Sequence, residues 1–465
     1  MVDITKQKEF NLLDEKNDIV LVNNLKNPLV KEINIILNGY LEERLEEPFT
    51  TIHTMGKLTS KRIHIVNYKK LKKEENRKKI YKNIADLKGE VCVLIDTFEC
   101  DDYLEIVQDL SETILTKNYT FNKYKTEVKD EPKDKNFFYW GKTSIDDNVF
   151  KGFVLGQSIN NCRDLVNTPY NHLNATDLAE YAMKLEKHDN VTVEIFDKEA
   201  AEEMNMGAYL GVNKGSIDEP KLILVKYQGK DKWSKPTALV GKGVMYDTGG
   251  YSLKTPVSMP GMKVDMAGAA AVLTAIEAIA RLKLNANVMS IVAATDNRIG
   301  DDAIVPDDIL KSASGKTIEV ISTDAEGRLT LADAVWFAQE QGAKKIIDIA
   351  TLTGAMVMAL GKEFTGAFTN DEKFFKEFKK ASKITGEKVW EMPINKGYHD
   401  ELKSNVADMK NKGGRAAGAS QAAAFIENFI DKDTKWIHLD VAGTAADKNG
   451  GTGAMVKTFT ELFCK

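Results

Sequence analysis

Cysteine is scarce in this chain of 465 residues, and its placement excludes two kinds of small architecture. Only four cysteines are present, and no two of them have metal-ligand spacing: Cys92, Cys100, Cys162 and Cys464. A zinc ribbon or a disulfide framework needs paired cysteines, so neither is predicted. The scarcity fits a reducing compartment.

A long apolar segment is also missing. The N-terminal residues Met1 to Lys6 lack the apolar core of a secretory signal, and no later stretch is long and apolar enough to span a bilayer. We therefore expect a cytoplasmic protein with no membrane partner.

Positive charge is not in excess, since 64 Lys and Arg face 69 Asp and Glu for a net charge of -5. This balance makes nucleic acid an unexpected partner, although it leaves a local basic patch open. Histidine is scarce too, with six residues that show no ligand spacing, and His438 lies in an apolar strand pattern typical of a core. The Gly-x-Ser-x-Gly elbow of serine hydrolases is absent as well.

The chain does contain an α/β pattern long enough for two domains. We expect an N-terminal α/β domain at 1–150, a connecting helix and linker at 151–175, and a catalytic domain at 176–465. In the first part, the pattern predicts strands at Asp18–Val22, Ile63–Val66 and Val91–Ile95, helices at Val30–Leu45 and Tyr103–Thr116, an exposed loop at Lys125–Lys135 and a connecting helix at Val154–Leu165.

From Thr176 onward the chain is richer in glycine and in apolar residues. The predicted strands are Leu222–Val225, Ala238–Val240, Val288–Ala293, Ile318–Ile321, Ile346–Ala350 and Trp436–Val441, and the clearest helices are Ala267–Arg281 and Ala417–Phe429. Continuous apolar strands favour a sheet buried on both faces. The fold class is therefore α/β, with a smaller N-terminal domain and a larger catalytic domain whose mixed sheet is covered by helices.

Two carboxylates and a guanidinium fall within one short turn, at Asp324, Glu326 and Arg328. A strand pattern precedes the turn and a helical pattern follows it from Leu329 to Gln341, so the acids are predicted at a strand-to-helix corner. Gly327 follows the second acid and favours a sharp bend. Acids at such a corner either cap the helix or bind a ligand beyond the strand ends.

A glycine-rich segment, Gly241 to Lys254, is predicted as a loop after the strand that ends at Val240, and Asp265 follows it. The Walker and dinucleotide spacings are both absent, which disfavours a nucleotide. Asp247, Asp265, Asp324 and Glu326 together are hard oxygen donors suited to one or two divalent ions. A carboxylate-bridged pair of ions roughly 3.5 to 4 Å apart activates a shared water in many hydrolases.

These residues carry a resemblance to the leucyl aminopeptidase family, the two-zinc M17 peptidases. It rests on the ordered segments Val240–Lys254, Met262–Met266, Thr323–Leu329, Asp348–Ala355, Ser404–Met409 and His438–Thr444, with Arg163–Pro169 similar to the family's link between domains. The resemblance covers the chain from about residue 155 to the end. The N-terminal third is similar only in layout.

The resemblance implies a metal-dependent aminopeptidase with two divalent ions per subunit. One ion would be bound by Lys242, Asp247, Asp265 and Glu326, and the other by Asp247, Asp324 and Glu326. Zinc is the expected metal, with manganese or magnesium possible at the more open site built by Asp324. Lys242 coordinates only as a neutral amine, which burial and two dications would favour; the alternative is a plain ion pair with an acid.

The resemblance also implies catalytic roles for two positively charged side chains. Lys254 would bind the scissile carbonyl oxygen and stabilise its developing charge. Arg328 would hold a bicarbonate ion that relays a proton, because a planar guanidinium suits a planar anion.

The resemblance also implies a substrate with a free amino group, held near Asp265, and a side-chain pocket. The substrate-binding residues are Lys254, Met262, Asp265, Thr351, Leu352, Gly354 and Ala442. A pocket lined by methionine adapts to several shapes, which favours leucine-like and methionine-like residues. Core packing is the alternative for these pocket positions.

Short peptides are the expected substrates, and a homohexamer is the expected assembly, both by resemblance. Departures from the family pattern occur at Ser322, Tyr246, Thr295–Arg298 and Pro306–Asp308, and none removes a proposed ligand. A dedicated dipeptidase for substrates such as cysteinylglycine, and an added DNA-binding regulatory role, stay open as alternatives.

Overall fold

A computed structural model of the chain describes residues 3–41, 46–127 and 135–464. The chain divides into two compact units, Met1–Asn160 and Asn161–Lys465. Both units are α/β, and the second contains a large mixed sheet, so the predicted fold class is confirmed. No helix within the described ranges combines the length and the apolar character needed to cross a membrane.

The first unit is built from short strands that alternate with helices. Its elements are β1 (Asp3–Lys6), β2 (Asp18–Val22), α1 (Pro28–Ile36), β3 (Phe49–His53), β4 (Arg62–Val66), α2 (Tyr68–Leu71), α3 (Glu74–Ala85), β5 (Glu90–Leu94), α4 (Tyr103–Lys117), β6 (Asn136–Trp140) and α5 (Asp146–Asn167), the last of which runs past residue 160. The strands form one sheet in the order β1-β6-β5-β2-β4-β3, with only β3 antiparallel.

Both faces of this first sheet are buried. Val20 and Val22 of β2 belong to one apolar core, and the alternating Ile19 and Leu21 belong to another. Side chains along a strand point to opposite faces in turn, so each face carries its own core. This explains why β2 reads as a continuous apolar run.

One helix in this unit is shorter than predicted. The pattern predicts a helix over Val30–Leu45, whereas α1 ends at Ile36. Asn38 and Gly39 have φ values of 58° and 82°, a left-handed pair that terminates helices. Residues 42–45 of that prediction, and residues 128–134 of the predicted charged loop, lie outside the described ranges.

The second unit contains the elements that build the candidate site. They are α6 (Ala175–Met183), β7 (Val191–Phe196), α7 (Lys198–Glu203), α8 (Gly207–Asn213), β8 (Lys221–Gln228), β9 (Thr237–Asp247), α9 (Ala267–Arg281), β10 (Asn287–Asn297), β11 (Ile309–Lys311), β12 (Thr317–Glu319), α10 (Gly327–Glu340), β13 (Lys345–Ala350), α11 (Gly354–Leu360), β14 (Thr365–Thr369), α12 (Glu372–Thr385), β15 (Val389–Glu391), α13 (Lys396–Asp400), β16 (Met409–Lys410), α14 (Gly418–Glu427), β17 (Lys435–Asp440), β18 (Ala446–Asp447), β19 (Gly450–Gly451) and α15 (Val456–Leu462).

Eight strands form the main sheet in the order β15-β14-β17-β13-β9-β10-β8-β7. The four central strands, β17, β13, β9 and β10, are parallel to one another, and β7, β8 and β14 supply the antiparallel pairings. Every residue of β10 is buried, so helices cover the sheet on both sides. The carboxyl ends of the parallel strands meet at one edge, where ligands bind in α/β sheets.

The first half of the glycine-rich segment after Val240 is not a loop, as predicted, but the second half of β9, which ends at Asp247; residues 248–254 form a loop. A Cβ atom on Gly241 would lie 2.6 Å from the backbone of Gly268 and Ala269 in α9. Glycine is needed there because the helix packs directly on the strand. The glycines that suggested a loop therefore mark close helix packing, and Lys242 lies within the sheet.

The predicted strand before Asp324 also differs from the structure. Strand β12 ends at Glu319 rather than Ile321, and it belongs to a separate three-stranded sheet with β11 and β16. The predicted corner therefore does not arise from the main sheet. Residues 320–326 instead run from the small sheet to the start of α10.

Candidate active site

All twelve residues that the sequence singled out line one cavity of about 1120 Å³. They are Lys242, Asp247, Lys254, Met262, Asp265, Asp324, Glu326, Arg328, Thr351, Leu352, Gly354 and Ala442. They come from β9 and the loop after it, from a single turn at Met262–Met266, from the segment before α10 and its first turn, and from the segments that follow β13 and β17. Segments far apart in the chain thus converge at one sheet edge.

Three buried carboxylates form the centre of this cavity. Asp247, Asp265 and Glu326 each offer an oxygen atom, and these atoms lie within 4.8 Å of one another. Asp324 is more exposed and contacts the cluster through Lys254. Carboxylates this close and this buried repel one another unless positive charge lies among them.

Lys242 provides part of that charge from inside β9. Its Nζ atom lies 2.7 Å from Asp265 Oδ2 and 2.8 Å from Glu326 Oε1, and it donates to the carbonyl of Thr351 at 3.3 Å. Burial disfavours the ammonium, but the three nearby carboxylates outweigh this effect and raise the pKa of Lys242. In the described state the residue is therefore a charged ion-pair partner.

Gly327 makes room for this lysine. A Cβ atom on Gly327 would lie 2.4 Å from Lys242 Cε and 2.6 Å from its Nζ. Its φ is not among the positive values, and it is the first residue of α10, so Gly327 itself is helical and does not form the predicted bend. The glycine in the Glu326-Gly327-Arg328 segment instead allows α10 to approach β9.

Lys254 is the second cation of the cluster. Its Nζ atom lies 2.7 Å from Asp247 Oδ2 and also pairs with Asp324 Oδ1. Burial opposes its charge, but Asp247 and Glu326 raise the pKa of Lys254 above its usual value. Each lysine thus sits between two carboxylates, where a cation is electrostatically favoured.

The two lysines do not fully compensate the acids. Burial, together with Glu326 and Asp265, raises the pKa of Asp247 to about 8, and burial raises the pKa of Asp265 to about 6. Burial alone would also raise the pKa of Glu326, but Lys242 and Lys254 hold it below its usual value. The donor set therefore accommodates more positive charge, as a divalent-metal site requires.

Arg328 lies buried in α10 beside this cluster. It donates from Nη1 to the carbonyl of Asn411 at 2.9 Å, while its buried Nε has no hydrogen-bond partner. Within residues 3–41, 46–127 and 135–464, no carboxylate forms an ion pair with it, and burial lowers its pKa to about 10. A buried guanidinium with unused donors facing a cavity is suited to an anion.

The proposed pocket residues are half-buried or exposed in the same cavity. Thr351 donates from Oγ1 to Asp265 Oδ1 at 2.8 Å, which joins the pocket to the carboxylate cluster. A Cβ atom on Gly354 would meet nothing within 4 Å, so the cavity is open there. Met262, Leu352 and Ala442 are among the apolar residues of the lining.

Sequence reasoning missed three buried residues that hold this site together. Asp440 accepts from the backbone of Leu352 and Ala442 at 3.2 and 3.1 Å. Asn411 accepts from Ile321 N at 2.8 Å and donates to Ser322 O at 2.8 Å, which shapes the segment before Asp324. The third is Asn297, which contacts Asp247. Single polar residues in strand ends and loops carry no periodic signal.

The sequence pattern also predicts that His438 belongs to the core and not to the candidate site. His438 is fully buried, and its Nδ1 lies 2.5 Å from Asp348 Oδ1. It does not line the candidate cavity. The prediction of a hydrogen-bonded core histidine is confirmed.

Comparison with known proteins places this geometry in context. The model of the catalytic domain of the cytosol aminopeptidase family matches residues 160–460. A probable cytosol aminopeptidase of Bacillus subtilis (strain 168) is 39% identical over 460 residues, which cover 93% of this chain and 92% of the relative. A solved mutant of tomato leucine aminopeptidase superposes with a TM-score of 0.84 at 30% identity, covering 100% of this chain and 96% of the other.

The fold and the cluster of buried acids and lysines, taken with these matches, define a peptidase, a hydrolase of peptide bonds. More particularly, the chain belongs to the cytosol aminopeptidase family, M17. This family is metal-dependent, and the geometry of the buried acidic cluster is suited to bind metal.

Proposed function

We propose that this protein is a metal-dependent aminopeptidase that removes N-terminal residues, preferably leucine-like and other apolar ones, from short peptides. The observation that carries the proposal is the buried cluster of Asp247, Asp265 and Glu326, whose oxygens lie within 4.8 Å of one another in a cavity also lined by Lys254 and Arg328. Retention of both cations favours an active enzyme over a binding protein that has lost catalysis.

The ligand assignment is the one that the family resemblance implies, and the closeness of Asp247, Asp265 and Glu326 supports it. Lys242, Asp247, Asp265 and Glu326 would hold one ion, and Asp247, Asp324 and Glu326 the other, with Asp247 and Glu326 shared. Zinc is the proposed metal, with manganese or magnesium possible beside the more exposed Asp324. When bound, two such ions would lower the pKa of a shared water so that it can act as a nucleophile near neutral pH. Lys242 would release its proton on becoming a ligand.

Lys254 would stabilise the negative charge that develops on the scissile carbonyl oxygen. In the described state its Nζ lies between Asp247 and Asp324, which are the proposed ligands of the more exposed ion. Its side chain would therefore turn toward the substrate when that ion is bound. The partly exposed position of Lys254 leaves room for such a movement.

Arg328 would hold the bicarbonate ion. The support is its burial without a carboxylate partner among the residues that the structure describes, and its unused Nε donor. When bound there, such an anion would supply a base for the transfer of a proton between the attacking water and the leaving amine. In this role Arg328 acts by holding the relay in place, and its guanidinium stays charged.

Substrate binding would divide between polar and apolar parts of the cavity. Asp265 would lie beside the free amino group, and this need for an amine makes the enzyme an exopeptidase. Met262, Thr351, Leu352, Gly354 and Ala442 would receive the side chain. The cavity of about 1120 Å³ is at the upper end of the roughly 300 to 1000 Å³ typical of small-ligand pockets, so it has room for a short peptide as well as for a dipeptide.

A cytoplasmic location and a homohexameric assembly complete the proposal. The location is supported by the name of the Bacillus subtilis relative, and the hexamer by the family resemblance alone. The test of the assembly is the mass of the protein in solution.

A matched pair of peptides tests the activity. Leucyl-glycyl-glycine should be cleaved after leucine, and its N-acetylated form should be cleaved at least about 100-fold more slowly, because the blocked amine cannot bind beside Asp265. Release of leucine is measured by mass spectrometry, with cysteinylglycine in parallel. Equal cleavage of the two peptides would rule out the exopeptidase, and turnover confined to cysteinylglycine would favour the dipeptidase.

A further inference from the structure

Asn297 is the last residue of β10 and lies beside Asp247, the last residue of β9, as its direct partner in the parallel register. The side chain of Asn297 is buried. Its Nδ2 atom donates to Asp247 Oδ1 at 2.8 Å and to the carbonyl of Thr323 at 3.0 Å. Both partners are acceptors, so the amide nitrogen, and not its oxygen, must face them.

The first of these hydrogen bonds sets the orientation of the Asp247 carboxylate. Gly249 N also donates to Asp247 Oδ1, at 2.8 Å, so this oxygen receives two hydrogen bonds from the protein. The other oxygen, Oδ2, faces Lys254 Nζ at 2.7 Å. Oδ1 is thereby engaged by neutral donors, and Oδ2 is the oxygen directed toward positive charge.

The second hydrogen bond reaches the segment that carries the remaining acids. Thr323 directly precedes Asp324, and its Oγ1 is also held, donating to Gly249 O at 2.5 Å and accepting from Ser252 N at 2.7 Å. One buried amide thus connects the end of β9 to the segment before α10. These two segments contribute Asp247 on one side and Asp324 and Glu326 on the other.

We propose that Asn297 is a positioning residue for the metal centre. It fixes Asp247 with Oδ2 toward the ions, and it holds the Asp324–Glu326 segment at the distance from Asp247 that metal binding by both segments requires. The inference rests on the metal site of the proposed function. Partners of this kind are the groups that orient metal ligands in proteins, and their loss typically lowers metal affinity about 10- to 100-fold.

The chain offers a matched control on the same strand. Asn287 is the first residue of β10, is also buried, and donates from Nδ2 to two carbonyls, Lys232 O at 2.7 Å and Ser234 O at 3.3 Å. It lies at the opposite end of the strand and does not line the candidate cavity. Asn297 and Asn287 therefore share residue type, burial and a side-chain nitrogen that donates to two acceptors, and they differ in the segments that they connect.

The test measures metal affinity, independently of turnover. Metal-depleted full-length protein, with and without Asn297→Ala, Asn297→Asp or Asn287→Ala, is titrated with Zn²⁺ and with Mn²⁺ against a competing chelator. Both Asn297 variants should bind more weakly by about 10- to 100-fold, and the isosteric aspartate, which replaces a donor with a repelling carboxylate, should be the weaker. Asn287→Ala should keep the affinity of the unmodified protein. Circular dichroism identifies the variants that fold. One folded Asn297 variant, either the alanine or the aspartate, is sufficient for the test.

Two results would overturn the inference. One is unchanged affinity in a folded Asn297 variant, and the other is an equal loss in Asn287→Ala, which would indicate a general effect on β10. Failure of the unmodified protein to bind either ion would instead contradict the proposed function, so the two failures are distinguishable.

Discussion

Replacement of Lys254 with alanine is expected to lower kcat by about 100- to 1000-fold while the protein keeps its full metal content. Lys254 is proposed to stabilise charge on the carbonyl oxygen during the reaction, and it is not a proposed ligand. Its Nζ lies between Asp247 and Asp324, so its removal also takes away a cation that competes for the same carboxylates. Metal content by elemental analysis and kcat on a leucyl amide check the two halves of this prediction.

Lys226→Ala is a matched control for the loss of a paired lysine in the same unit. Lys226 lies in β8 and pairs with Glu194 at 2.8 Å, but it does not line the cavity. This variant should retain both metal content and turnover. If Lys254→Ala kept full turnover, the carbonyl-binding role would be wrong; if it lost its metals, the residue would act on the metal centre instead.

Replacement of Asp247 with alanine should remove metal and activity together. Asp247 is the buried carboxylate proposed to be shared by both ions, and it is held by Gly249 N and Asn297 Nδ2. Metal ions supply several kcal/mol of charge stabilisation, so turnover should fall by about 1000-fold or more. Elemental analysis after dialysis should find substoichiometric metal.

The control for this variant is Asp333→Asn. Asp333 is also a fully buried carboxylate, but it accepts from the backbone of Tyr209 and Ala313 at 2.8 Å each and does not line the cavity. Folded Asp333→Asn should retain its metal. An Asp247→Ala protein that bound two ions per subunit would show that the centre is built from other residues.

Much of the candidate site could be predicted because its chemistry is concentrated in short segments. Two acids and an arginine within five residues, and the Lys242–Lys254 segment, are visible as a pattern even before the fold is known. The structure brings these segments to one cavity. Their catalytic and metal-binding roles remain predictions that the experiments above test.

Local geometry was less predictable where glycine has two possible uses. Gly241 and Gly243 suggested a loop, but β9 continues to Asp247. The glycine at 241 is there because it allows α9 to pack on the strand. Gly327 suggested a bend, but it allows Lys242 to lie against α10. Close packing and turning both select glycine, and only the three-dimensional neighbours distinguish them.

The supporting residues could not be predicted at all from pattern. Asn297, Asn411 and Asp440 act through hydrogen bonds to segments that are distant in sequence, such as Asn411 to Ser322. Such partners depend on strand register and loop conformation. The small sheet of β11, β12 and β16 is a similar case, because its strands of two or three residues give too short a signal.

The central claim is that the carboxylate cluster acts through bound metal, and a metal titration of the depleted enzyme tests it most directly. The protein is exhaustively chelated, and hydrolysis of a leucyl amide is then followed as Zn²⁺ or Mn²⁺ is added in known equivalents. We predict that chelation abolishes turnover and that activity returns as the ratio approaches two ions per subunit. Full turnover in protein shown to contain no metal would contradict the account.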